Sequence, residues 1–318
     1  MKNCENKLKN RTPGNDFKIS RICNETGEIV MTEYTVFPGI NLIYNDVHAQ
    51  GCLPESGIPD TVFEISHCRE GRIECHSGNG FFYLTPGDMS VAKPTDIEYG
   101  SYFPLRHYHG ITVRIDTAKT PGCLSCFLED VEVNPEKLME KFCSGPEAYI
   151  ARSNESIGHI FAELYSVPEN IRKGYLKVKI LELLLFLSSL DLSKEKKNTT
   201  SVSKTQADLA KDIARYLTGN MDKRITIEEL SDMFHISETQ LKSSFRAVYG
   251  NSVYAYIREQ KMQAAGLMLR SGNATVLEVA GKFGYDNSSK FAKAFSDVMG
   301  VTPSEYRKEN IPPSHGNT

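Results

Sequence analysis

Two short stretches of this 318-residue chain carry hydroxyls and cations at helical spacing. Thr239, Lys242, Ser243 and Arg246 fall on one side of a 100° helical wheel, and Ser289, Ala292, Lys293 and Ser296 fall on the matching side about 50 residues later. Lysine can donate to guanine O6 and N7, the threonine methyl can meet a thymine methyl, and a carboxylate such as Glu238 can accept from cytosine N4. Arg246 suits a phosphate. The chemistry on offer is therefore recognition of a nucleic-acid groove, with no bond made or broken. The candidate contacts are Ser237, Glu238, Thr239, Lys242, Ser243 and Arg246 in the first stretch, and Asn287, Ser288, Ser289, Lys290 and Lys293 in the second. Short hydroxyls make fewer bidentate contacts than Arg or Gln, so the second set is expected to lean on phosphate and DNA shape.

A second group of polar residues lies in the N-terminal half. His67 and Arg69, like His107 and His109, stand two apart and share a face if their segments are strands; with Arg106 they are the candidates for contacting a small effector. Cys123 and Cys126 have the spacing of half a zinc site or a redox pair, and His67, Cys68, Cys75 and His76 could meet on a hairpin, but no second CxxC completes a motif. No metal or other cofactor is expected. A GxSxG nucleophile turn and a phosphate-binding glycine loop are both missing from the sequence, so no catalytic residue is assigned.

The elements that would hold the first group are spelled out twice. Thr226 with Glu229 and Thr275 with Glu278 form Thr-x-x-Glu capping boxes, each opening a helix with apolar residues at Ile227, Leu230 and Phe234 or Val276, Val279 and Phe283. A turn follows, His235 to Ser237 or Gly284 to Asn287. A second helix then buries Leu241, Phe245 and Val248 or Phe291, Phe295 and Val298, and Gly250 or Gly300 ends it. Helix, tight turn and helix, written in tandem, is a doubled helix-turn-helix pattern. A helix over Thr205–Leu217 precedes the pair, and one over Val253–Arg270 joins its halves. Eighteen residues span about 27 Å, which can hold two reading helices near one DNA turn apart, about 34 Å.

The span from about Ala207 to Arg307 resembles the DNA-binding domain of the AraC/XylS family of bacterial transcription regulators. The likeness is carried by Phe283-Gly284-Tyr285, Phe291, Phe295, Gly300, Thr302-Pro303 and Tyr306-Arg307. More loosely, EISHCREGRIECHSGNG, LTPGDMSVAKP and YHGITVRID resemble the cupin-like effector domain of such regulators, although Asp96-Ile97-Glu98 stands where a catalytic cupin has its metal-binding histidine.

The whole is read as an α+β multidomain protein. A flexible arm spans 1–16, a β-barrel or cupin-like effector domain 17–133, a helical dimerisation region 134–190, a linker 191–204 and an all-α DNA-binding domain 205–310, with helix-turn-helix units at 226–248 and 275–297. Strands are expected at Ile29–Phe37, Thr61–His67, Arg72–His76, Phe81–Leu84 and Tyr108–Ile115, and helices at Glu136–Phe142, Ser156–Tyr165 and Ile171–Leu190. In the last of these, Ile180 to Leu187 is apolar on more than one face and is expected to pair two copies.

Net charge is −3, yet residues 201–318 hold 15 Lys and Arg against 13 Asp and Glu, leaving −5 for the rest. Attraction to phosphate must come from local placement on the docking face. The polar N-terminus lacks an apolar export segment and no run can span a bilayer, so a cytoplasmic protein with reduced thiols is expected. The resemblance implies a non-enzymatic, homodimeric regulator that binds promoter DNA, answers to a small effector in its β-rich half and activates by recruiting RNA polymerase. A cupin-type enzyme with a DNA-binding tail and an architectural protein without an effector are the alternatives.

Overall fold

The computed structural model describes residues 17–52, 57–77, 80–94, 100–122, 124, 133–145, 148–192, 201–270 and 274–310. They form two units, Met1–Ser203 and Lys204–Thr318. The expected arm 1–16, the Asp96-Ile97-Glu98 segment, Cys123, Cys126 and most of the expected linker lie outside the described residues.

The first unit has strands β1 (Phe17–Asn24), β2 (Gly27–Phe37), β3 (Ile40–His48), β4 (Gly51–Cys52), β5 (Val62–Gly71), β6 (Ile73–Ser77), β7 (Gly80–Leu84), β8 (Met89–Ala92), β9 (Ser101–Tyr102) and β10 (Tyr108–Asp116). Helix α1 (Pro135–Cys143), strand β11 (Tyr149–Ala151), helices α2 (Glu155–Leu164) and α3 (Arg172–Ser189), and strand β12 (Val202–Ser203) follow. The strands pair antiparallel in two sheets, ordered β1-β2-β3-β10-β5-β8-β11 and β12-β7-β6-β9-β4. Strand β10 explains the layering. Its Ile111, Val113 and Ile115 join a core completed by α1, α2 and α3, whereas Tyr108 faces Phe82, Leu84 and Phe103 from the side of the second sheet. Buried residues of β10 thus contribute to a core on either side of the large sheet.

Several expectations need correction. Strands β1, β3, β4, β8 and β9 fall where no strand is expected, and β11, between two expected helices of the region 134–190, pairs with β8. The division between 17–133 and 134–190 therefore falls within one unit. The end of the expected linker is strand β12, hydrogen-bonded to Phe81 and Gly80 of β7. Such pairings depend on residues far away in the chain, which periodicity does not report. Helix α3 buries Leu176, Ile180, Leu183, Leu184 and Leu187 and half-buries Leu181, Leu185 and Phe186, because it packs on both the large sheet and α2. Its buried Lys179 is held by Glu163 at 2.8 Å and by Glu182.

The second unit is all helix: α4 (Lys204–Gly219), α5 (Ile227–Phe234), α6 (Glu238–Tyr249), α7 (Val253–Arg270), α8 (Val276–Lys282), α9 (Ser288–Met299) and α10 (Pro303–Asn310). The α7 span coincides with the expected connector. It packs against α4 and α6 at one end and α8, α9 and α10 at the other, so one rod belongs to two small cores. Tyr256 of α7 meets Phe245 and Tyr249 at centroid distances of 5.3 and 4.5 Å. Met262, Ala265 and Leu269 close on Val279, Phe283, Phe291 and Phe295. No described helix is long and apolar enough to cross a membrane.

Candidate nucleic-acid interface

The two capping boxes form as the sequence implies, with nearly the same geometry. Thr226 N donates to Glu229 Oε2 at 2.7 Å and Glu229 N to Thr226 Oγ1 at 3.2 Å; Thr275 N donates to Glu278 Oε2 at 2.6 Å and Glu278 N to Thr275 Oγ1 at 3.2 Å. Each box satisfies two otherwise orphaned donors. The following turns match bond for bond: Ile236 N to Ser231 O at 3.1 Å, and Tyr285 N to Ala280 O at 3.0 Å. These bonds aim α6 and α9.

Both helices bury one stripe and expose the other. In α6 Leu241, Phe245 and Val248 are buried, while Ser237, Glu238, Thr239, Lys242, Ser243 and Arg246 are all exposed. In α9 Phe291, Ala294 and Phe295 are buried, Asn287, Ser289, Lys290 and Lys293 are exposed, and Ser288 is half-buried. Three of these candidates are partly committed elsewhere. Ser237 Oγ accepts from Gln240 N at 3.2 Å and Asn287 Oδ1 from Ser289 N at 2.7 Å, so these oxygens cap their helices. Ser243 Oγ donates back to Gln240 O at 3.0 Å. The groups left projecting are Thr239, Lys242 and Arg246 on α6, and Ser289, Lys290 and Lys293 on α9.

Lys242 Nζ lies 2.6 Å from Glu238 Oε2, one turn earlier. An exposed pair of this kind is worth only about 0.3–0.5 kcal/mol, so docking against an anion can open it cheaply. Arg246, Lys290 and Lys293 have no ion pair among the described residues. Arg258 of α7 pairs with Asp297 of α9 at 2.5 Å, and Lys261 donates to Phe283 O at 3.1 Å, tying the second module to the rod. Sequence spacing alone does not reveal these two clamps.

The effector candidates of the first unit separate into groups. His67 is buried, stacked on Phe161 at 4.1 Å, with Nδ1 3.0 Å from Tyr165 Oη. Arg69 lies over the same Tyr165 ring at 5.0 Å. Burial holds His67 well below its usual pKa, at about 4, against the opposing pull of Asp88. Arg106, at a left-handed φ of 55°, donates to Thr26 O at 2.6 Å. His107 and His109 stand together, ring centroids 4.5 Å apart, and His48 joins them at 5.4 Å from each. His48 was not among the candidates; its place two residues after Asp46 on an alternating strand is the signal that could have found it. Burial pushes Cys68 up to about 12 and raises Cys75 further.

With this geometry in view, comparison with known proteins concerns the second unit. A family model described as a helix-turn-helix domain matches residues 230–309. The HTH-type transcriptional regulator YdiP of Escherichia coli is 34% identical over 101 residues, covering 32% of this chain and 33% of that protein. An AraC-like transcription regulator of Streptomyces lividans is 33% identical over 88 residues, 28% of this chain and 29% of that one. The match thus spans about a third of the length of these relatives. Among solved structures, a transcriptional regulator with an AraC-type DNA-binding domain from Chromobacterium violaceum is 16% identical, covers 34% of this chain and 96% of its own, and has a TM-score of 0.32. Both relatives are named as transcription regulators. The C-terminal unit is thus similar to the helix-turn-helix domains of AraC-like transcription regulators.

Proposed function

We propose that the protein is a sequence-specific transcription regulator that lays α6 and α9 into successive major grooves of promoter DNA and is controlled by a small molecule bound to its β-rich unit. The observation that carries the reading is the paired presentation of exposed cations, Lys242 and Arg246 on α6 and Lys290 and Lys293 on α9, on two modules with corresponding capping boxes and turn hydrogen bonds. Helix-turn-helix modules read bases with the early residues of the second helix, which are Thr239 and Lys242 in one copy and Ser289 and Lys290 in the other.

The effector half of the reading rests on a separate β-rich unit joined to the DNA-binding unit, with Arg69, His107 and His109 as polar groups at its surface. An effector acts only if its affinity differs between two arrangements of the protein. Pairing of two copies through α3 is supported by exposed Val178 (62%) on the helix and exposed Ile171 (49%) in the turn before it, with open space at Gly174 between them. A self-complementary stripe suits a two-fold dimer. Activation through RNA polymerase completes the proposal.

The test is selection of bound sequences from a random duplex library with the full chain, followed by mobility shift at controlled salt. Enrichment of a two-part site, with half-sites about one helical turn apart, is the expected result. Retention of DNA without any sequence enrichment would reject the specific regulator and leave an architectural protein.

A further inference from the structure

We propose that His48, His107 and His109 form a binding site for a first-row divalent metal ion such as zinc, with Asp46 and Glu70 completing or orienting its ligands. The three histidines each offer a ring nitrogen, and these atoms lie within 4.8 Å of one another. Asp46 Oδ1 stands 3.0 Å from His48 Nε2 and 2.9 Å from His109 Nε2. Glu70 Oε2 stands 3.6 Å from both His107 Nε2 and His109 Nδ1. Three imidazoles and two carboxylates make a nitrogen and oxygen donor set suited to a divalent cation, and imidazole suits zinc, copper, iron and nickel.

The strands build this cluster deliberately. Asp46 and His48 alternate along β3, His107 stands immediately before β10 and His109 is its second residue, and the register places His109 opposite Asp46. On the other side β5 carries a bulge: His109 pairs with Glu70 but Gly110 pairs with Cys68, so Arg69 is the extra residue. The bulge turns Glu70 to the face of His109. Gly71, at φ +79°, lets β5 approach closely, since a Cβ there would stand 2.0 Å from His107 O. Arg106, immediately before His107, holds a left-handed φ that costs a non-glycine residue about 1–3 kcal/mol.

His109 Nε2 is close to Asp46 but not aligned as a hydrogen bond, and it is shielded from solvent. A buried nitrogen in that condition normally has a partner. Ligands on a tetrahedral ion at about 2.0–2.1 Å stand roughly 3.3 Å apart, so small side-chain rotations close the set. The inference goes beyond DNA recognition and stands independently of it.

The test uses the full chain, stripped of metal with a chelator that is then removed. Cobalt(II) titration followed by visible absorption is expected to show one ion per chain with d–d bands and no thiolate charge-transfer band, and equilibrium dialysis to show one zinc displacing it. His48 is largely exposed, so His48→Ala probes the site without opening a cavity; it and His109→Ala are each expected to weaken binding about tenfold or more, with the metal-free melting temperature unchanged for His48→Ala. A thiolate charge-transfer band would assign the metal to cysteines and overturn the proposal. So would unchanged affinity in the His48→Ala/His109→Ala double variant, or no cobalt binding by the parent.

Discussion

His235 and Gly284 occupy the same position 49 residues apart, and both are left-handed, at φ 54° and 76°. Each amide bonds three residues back, His235 N to Asp232 O at 3.3 Å and Gly284 N to Gly281 O at 3.1 Å. The turn that aims the reading helix is therefore one backbone solution reached with two residue types, and only the second is glycine, the residue this conformation favours.

An asymmetry in stability follows. His235→Gly relieves left-handed strain but enlarges the freedom of the unfolded chain, and is expected to leave stability unchanged or raise it by up to about 1 kcal/mol. Gly284→Ala meets the same strain, and its Cβ would stand 2.8 Å from Asp222 O. It is expected to destabilise by more than about 1 kcal/mol. Urea midpoints of the two variants at equal slope decide the matter.

The two lysines should fail in different ways on DNA. Lys242→Ala is expected to cost about 1–3 kcal/mol on the selected site and little on scrambled duplex, as for a base contact. Lys293→Ala, on the hydroxyl-rich α9, is expected to weaken both DNAs alike and to reduce the salt slope by about 1, as for a phosphate contact. Binding isotherms over a salt series separate these patterns, and equal losses for Lys242→Ala on the two DNAs would move it to the phosphate list.

His67 makes the β-rich unit sensitive to acid. Its folded pKa of about 4 lies below the ordinary histidine value of 6.5, so between those values the unfolded chain binds more protons. The stabilisation is fully present above about pH 6.5 and is lost as pH falls toward 4, by at most about 3 kcal/mol. His67→Gln, which keeps a polar partner for Tyr165, should flatten that slope in denaturant titrations repeated across the pH range.

Association of two copies can be tested on α3 without touching its core face. Val178→Glu puts a charge at an exposed apolar position and is expected to turn a dimer into a monomer in sedimentation equilibrium, with the circular dichroism spectrum retained. A parent that is already monomeric, or a variant that still pairs, removes α3 from the interface.

What could be read from the amino-acid order alone was whatever is written within a few residues. The Thr226–Glu229 and Thr275–Glu278 boxes and the 3.6-residue stripes of α6 and α9 act over one or two helical turns, and they determined the doubled module, its exposed face and the length of α7. Strand partners are a different matter. The pairing of β11 with β8, the docking of β12 on β7 and the contact of His67 with Tyr165, 98 residues away, depend on which distant faces can be buried together, and no local period encodes that. For the same reason His107 and His109 were legible as a pair on one strand face, while their meeting with His48 and Glu70 was decided only by the β3–β10 register and the bulge in β5.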